Sequence, residues 1–109
     1  MLAVELLIIM EHIHDAGYIH RDMKPENMMM GKSNKTNSER LYIVDFGMSK
    51  AYIDLKTREH VEPKALRQFV GTYRYCAITA HHGNEQSRKD DLESLGYILI
   101  YFLKGKLPW

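Results

Sequence analysis

Apolar residues near the amino terminus recur at helical spacing: Leu2, Leu6, Ile9, Met10 and Ile13 share one face, and Gly17 follows as a carboxyl-terminal cap. The pattern predicts a helix over residues 2–16 with one buried side. His12 and His14 lie two apart, on different helix faces, and read as ordinary helix residues rather than a metal pair. Next come two short apolar runs, Met28-Met29-Met30 and Leu41-Tyr42-Ile43-Val44, separated by a polar stretch from Gly31 to Arg40 rich in turn formers. They predict a β-hairpin with a solvated linker. From Gly47 to Thr79 the periodicity fades, polar residues are frequent and Pro63 interrupts, which predicts an irregular segment. Regularity returns at Ser87-Arg88-Lys89-Asp90, which has the spacing of a helix capping box and leads into an apolar stretch through Leu103, with Gly105 just beyond. Tyr97 to Leu103 is apolar on every side, which predicts that this helix is buried.

Composition adds exclusions. The 109 residues are 45% hydrophobic and 27% charged, as in an ordinary globular protein. A net charge of +1 gives no reason to invoke nucleic acid or a membrane surface as the main partner. The single cysteine, Cys76, rules out an intrachain disulfide framework and suits a reducing compartment, cytoplasmic or nuclear. No apolar run approaches membrane-spanning length, and Glu5 interrupts the one that begins the chain. His60, His81 and His82 show no ligand spacing with Cys76 and receive no role.

The chemistry is carried by His20-Arg21-Asp22-Met23-Lys24-Pro25-Glu26-Asn27 and by Asp45-Phe46-Gly47, whose aspartate lies eighteen residues after Asn27. This is the spacing of the catalytic and metal loops of a protein kinase. Phosphoryl transfer from ATP crosses a loose transition state, so a protein must chiefly position a hydroxyl and neutralise phosphate charge. Asp22 can orient that hydroxyl and accept its proton. Lys24 would set a compact positive charge on the moving phosphate. Asn27 and Asp45 offer the hard oxygen ligands that suit magnesium, an ion that takes few protein groups and completes its shell with water and phosphate. Because Asn27 immediately precedes the first predicted strand and Asp45 immediately follows the second, pairing of the hairpin would bring the two ligands together.

Lys24-Pro25-Glu26-Asn27 resembles the serine/threonine form of this loop. Gly71-Thr72-Tyr73-Arg74-Tyr75, the string from Glu85 to Tyr97 and Leu107-Pro108-Trp109 resemble the casein kinase 1 family over essentially the whole chain. The resemblance implies an α+β fold: the larger, carboxyl-terminal lobe of a kinase domain across residues 1–109, mainly helical, with a short β-hairpin carrying the active-site loops. It implies ATP and magnesium as cofactors and acidic or already phosphorylated serine/threonine proteins as substrates. It places Met29 beneath adenine, Val44 in the nucleotide pocket, and Thr72 between Asp22, Lys24 and the activation segment. Arg21, Lys50 and Arg67 would form a basic cluster able to hold an anion without phosphorylation of that segment, and Arg74 would bind a phosphate already on the substrate. Asp91 would hold the backbone at His20 and Arg21, and His20 would pack on Phe46. Ala77-Ile78-Thr79 stands where most kinases carry Ala-Pro-Glu, so the usual anchoring glutamate is missing from that position.

One departure is large: the chain has no G-x-G-x-x-G segment and no V-A-I-K strand lysine, the parts that cover and pair the ATP phosphates. The smaller lobe is expected to precede residue 1, further helices to follow Trp109, and the 109-residue piece to transfer little phosphate alone. The competing reading is a noncatalytic pseudokinase or a truncated, kinase-like binding module; intact Asp22, Lys24, Asn27 and Asp45 weigh against it.

Overall fold

The computed structural model describes residues 1–32, 34–35, 38–64 and 68–109. The first helix, α1, runs Leu2–Asp15. Its buried stripe begins at Leu6 and continues through Met10 to His14, whereas Leu2 is 39% exposed. The chain then turns sharply at Gly17, where φ is +95° and a β-carbon would lie 2.6 Å from Leu55 Cδ2. Only glycine relieves both constraints.

Strand β1 (Tyr18–Ile19) pairs antiparallel with β4 (Lys50–Ala51). After the loop that carries Asp22, a single 3-10 turn over Pro25–Asn27, with proline preset for its first position, delivers the chain into β2. Strands β2 (Met28–Lys32) and β3 (Glu39–Ile43) form the expected hairpin, with Met28 opposite Ile43, Met29 opposite Tyr42 and Lys32 opposite Glu39. Gly31, Lys32, Glu39 and Arg40, expected in the linker, are thus part of the ladder.

The irregular segment behaves as its polarity suggests, with β4 and one isolated bridge between Ile53 and His60 as its only described ladder contacts. A short helix α2 (Ile78–His81) precedes the long helix α3 (Arg88–Lys104). Leu6 and Met10 of α1, Met23, Leu41, Tyr75, and Leu95 and Ile98 of α3 form one buried cluster beneath the catalytic loop. Each of these fully buried side chains stabilises the fold by about 1.5–3 kcal/mol. The architecture is therefore mixed helix and small sheets, and the core serves to clamp the loop between two helices.

Helix α3 begins as expected, and within these 109 residues it packs through one stripe. The Asp90 carboxylate accepts hydrogen bonds from the Ser87 N–H (2.7 Å) and Oγ–H (3.3 Å), and Gly105 closes the far end with φ +72°. However, the buried residues are Asp90, Asp91, Ser94, Leu95 and Ile98, while Ile100, Phe102 and Leu103 are exposed, Leu103 at 86%. An apolar circumference does not bury a helix that packs through one stripe only.

Burial acts to raise the Asp90 carboxyl, yet the Lys89 ammonium and the Ser87 N–H hold it below the usual carboxylate value. Its stabilising contribution is therefore complete above the ordinary pKa near 4 and is lost as pH falls through the lower folded value. Thermal melts of the full-length protein from about pH 5 to about pH 2 should lose roughly 1 kcal/mol through this cap. In Asp90→Asn that part of the acid sensitivity should vanish; an unchanged acid profile would disprove the assignment.

Candidate active site

The loop from His20 to Lys24 is fixed from below by one carboxylate. Asp91, 1% exposed, accepts hydrogen bonds from the His20 N–H (2.8 Å, Oδ2) and the Arg21 N–H (2.9 Å, Oδ1). His14 Nε2 lies 2.9 Å from the same Oδ2. That third partner was not expected from the sequence, although Leu6, Met10 and His14 recur every four residues and so share the buried stripe. These bonds hold Arg21 in the left-handed region, φ 68°, a conformation costly for a side chain with a β-carbon.

His20 is buried and turned toward the metal loop. The Asp22 N–H donates to its Nδ1 (3.2 Å), which leaves Nε2–H to donate to the Val44 carbonyl (3.2 Å). Phe46 meets the imidazole edge-on at 5.1 Å, the pairing expected of these two residues. A core histidine with both nitrogens committed positions backbone and moves no proton.

Asp22 lies at the centre, 9% exposed. Thr72 Oγ1–H donates to its Oδ1 at 2.7 Å, Lys24 Nζ lies 3.3 Å from its Oδ2, and Lys24 Nζ also donates to Thr72 Oγ1 at 3.3 Å. The triangle links the loop that carries Asp22 to the irregular segment through Thr72. A carboxylate has about four lone-pair sites, so two remain for an incoming hydroxyl. Gly71, φ +116°, brings the segment so close that a β-carbon there would lie 2.9 Å from the Arg21 carbonyl oxygen.

The two candidate cation ligands sit at the open end of the hairpin. Val44 N–H donates to the Asn27 carbonyl (2.9 Å), extending the ladder one bond past Ile43 and setting Asp45 just beyond it. Asn27 Nδ2 donates to the Asp22 carbonyl at 2.9 Å, which leaves the amide oxygen for a cation. Asp45 is exposed, takes φ 59°, and accepts the Gly47 N–H at 3.2 Å through one oxygen. Among the described residues no group of three or more His, Cys, Asp or Glu forms a metal cage. An amide and a carboxylate that leave the cation's shell open fit magnesium. Met29 is 56% exposed on the hairpin face, and Val44 is half-buried beside Asp45.

Of the three residues expected to hold an anion, Arg21 and Lys50 are described, and each has a partner within the chain. Arg21 Nε donates to the Met48 carbonyl at 2.5 Å, and Lys50 is ion-paired with Glu85, whose other oxygen accepts the Lys64 N–H at 2.6 Å. Arg67 lies outside the described residues. Arg74 is exposed, and its carbonyl accepts the Trp109 indole N–H at 2.8 Å.

Two further contacts escaped sequence reasoning. Glu93 Oε1 accepts the Ile78 N–H (3.1 Å) and the Tyr97 hydroxyl (2.5 Å), so a carboxylate from α3 caps α2, and this bond pushes the tyrosine up to about 12. Cys76 Sγ lies 3.1 Å from His81 Nε2, a pairwise contact that belongs to no metal cage among the described residues, and burial raises the thiol. Both depend on where α2 starts, which no spacing rule supplies.

The pattern of the protein kinase domain matches residues 1–109. The chain is 42% identical over 108 residues to the casein kinase I homolog RAG8 of Kluyveromyces lactis, covering 99% of this chain and 20% of that protein. The chain thus spans about a fifth of the length of that relative. Among the described residues no helix is long and apolar enough to cross a membrane.

Proposed function

Since this chain belongs to the protein kinase domain family, we propose that it carries the catalytic and metal loops, in the larger lobe, of a casein kinase 1-type serine/threonine kinase that phosphorylates acidic or primed proteins. The observation that carries the proposal is the Asp22, Lys24 and Thr72 triangle standing beside the Asn27 and Asp45 ends of one hairpin.

Magnesium ATP, when bound, supplies the phosphoryl group and the cations that offset its charge. Asn27 and Asp45 would hold those cations. Asp22 orients the substrate hydroxyl and takes its proton late, because bond formation lags in a loose transition state. Lys24 sets its ammonium beside that carboxylate, where it faces the transferring group, and Thr72 keeps both side chains in one arrangement. Val44 and Met29 would line the adenine side, the thioether adapting to a flat ring. The exposed Arg74 guanidinium is suited to fork onto a phosphate of the substrate. These 109 residues contain no G-x-G-x-x-G segment and no V-A-I-K lysine to cover the ATP phosphates, so by themselves they should transfer little. The setting we propose is cytoplasmic or nuclear.

The test is transfer of labelled γ-phosphate from magnesium ATP by the full-length protein, using matched serine peptides with and without an upstream phosphoserine. Transfer should require magnesium and favour the primed peptide. In Arg74→Ala that preference should shrink by about tenfold, the loss of one charge-assisted pair. Equal use of both peptides by the unaltered enzyme would exclude primed recognition; no transfer to any peptide would favour the noncatalytic alternative.

A further inference from the structure

Glu85 lies in the loop between α2 and α3, where nothing about the peptide ladder or the apolar core calls for a carboxylate. Its side chain is only 8% exposed. Burying an ionised carboxylate costs several kcal/mol unless its oxygens are paired, and here both are: Lys50 Nζ meets Oε1 and the Lys64 N–H meets Oε2 at 2.6 Å. Those partners stand at opposite ends of a stretch within the activation segment. One side chain therefore pins two distant points of it.

The first of those points matters for catalysis. Lys50 is paired through β4 with Ile19, the residue before His20, so whatever fixes Lys50 also fixes the approach to the catalytic loop. The charge of Glu85 acts on the Arg21 guanidinium as well, opposing the effect of burial there. In Glu85 itself, burial favours the neutral acid, but the bonds from Lys50 and Lys64 and the nearby Arg21 charge prevail and keep it ionised. A single carboxylate thus pairs with Lys50, one of the cations expected to hold an external anion. The usual alternative is a phosphoryl group, which orders activation segments by pairing with arginine.

We propose that Glu85 is the resident anion at Lys50, a positioning residue that ties Lys50 and the Lys64 backbone together and so orders the activation segment without phosphorylation. The inference rests on the kinase reading and specifies how that kinase is kept active. A cavity of about 250 Å³ lined by Lys50, Pro63, Glu85 and Gln86 adjoins the pair, so a small inorganic anion has room to enter when the carboxylate charge is removed.

The experiment uses the full-length kinase with Glu85→Gln, which keeps the side chain's volume and deletes its charge. The kcat for peptide phosphorylation should fall by about tenfold, the order of loss that follows misplacement of a catalytic loop, with KM for ATP nearly unchanged. Millimolar sulfate should recover most of that loss where chloride of equal ionic strength does not, and the unaltered enzyme should gain nothing from sulfate. Should the variant fold poorly, sulfate should restore its melting temperature together with kcat. An unchanged kcat in Glu85→Gln, or a loss that sulfate repairs in neither folding nor turnover, would overturn the proposal. Failure of the kinase reading looks different: the unaltered enzyme itself would show no transfer.

Discussion

Asp22→Asn in the full-length protein should lower kcat by about 10²–10⁴, the range set by loss of a positioned general base, while the KM for ATP changes little. The carboxylate is the one acceptor-only group in the triangle, taking the Thr72 hydroxyl at 2.7 Å and the Lys24 ammonium at 3.3 Å. An amide of the same shape keeps one acceptor oxygen but presents an NH₂ to groups that are themselves donors, so an orientation that satisfies Thr72 repels Lys24. It also cannot accept a proton. Asn27 should stay in place, because its amide is bonded to the backbone carbonyl of residue 22 rather than to the side chain. Cation affinity should survive for that reason, measurable as an unchanged magnesium dependence. Turnover within threefold of the unaltered enzyme would remove Asp22 from the mechanism.

Asp91→Ala should destabilise the full-length protein by about 3–5 kcal/mol, the cost of breaking a buried charged network from one side, read as a shift of the denaturant midpoint at constant slope. The deletion strands the His20 and Arg21 N–H groups and the His14 imidazole in a region closed to water. It also frees Arg21 from its left-handed conformation, so kcat should drop even at temperatures where the variant stays folded. His14→Leu leaves both backbone bonds intact and should cost only about 1–2 kcal/mol. The two substitutions remove the same His14–Asp91 contact, so their combined effect should be smaller than the sum. Full additivity would show that His14 and Asp91 act separately.

How much of this could be read from the chain depends on which force sets each feature. The hairpin and α3 obey local rules: apolar runs divided by turn formers, a carboxylate three residues after Ser87, a glycine at the far end. Helix α1 was legible to one residue at its end, yet Leu2, on the same stripe as Leu6 and Met10, is exposed at the start of the helix. His14 could have been found, since it continues the spacing of Leu6 and Met10. The roles of Thr72 and Asp91 came from likeness to a family; periodicity alone does not bring residue 91 beneath residue 20. Lys50 shows the limit most clearly. A basic residue after the metal loop suggests an anion, but only the fold reveals that the anion is Glu85, thirty-five positions away.

The bond from Val44 to Asn27 carries one more consequence, for how the chain tolerates length changes. Both cation ligands are placed by counting residues back from a shared ladder, whose turn end lies beyond Lys32 and Glu39. Insertions there lengthen the tip and leave Asn27 and Asp45 in register, whereas one residue added on either side between the ladder and its ligand displaces that ligand by about 3.3 Å and turns its side chain to the other face. The hairpin is thus a ruler read from its open end, indifferent to what is attached at the other.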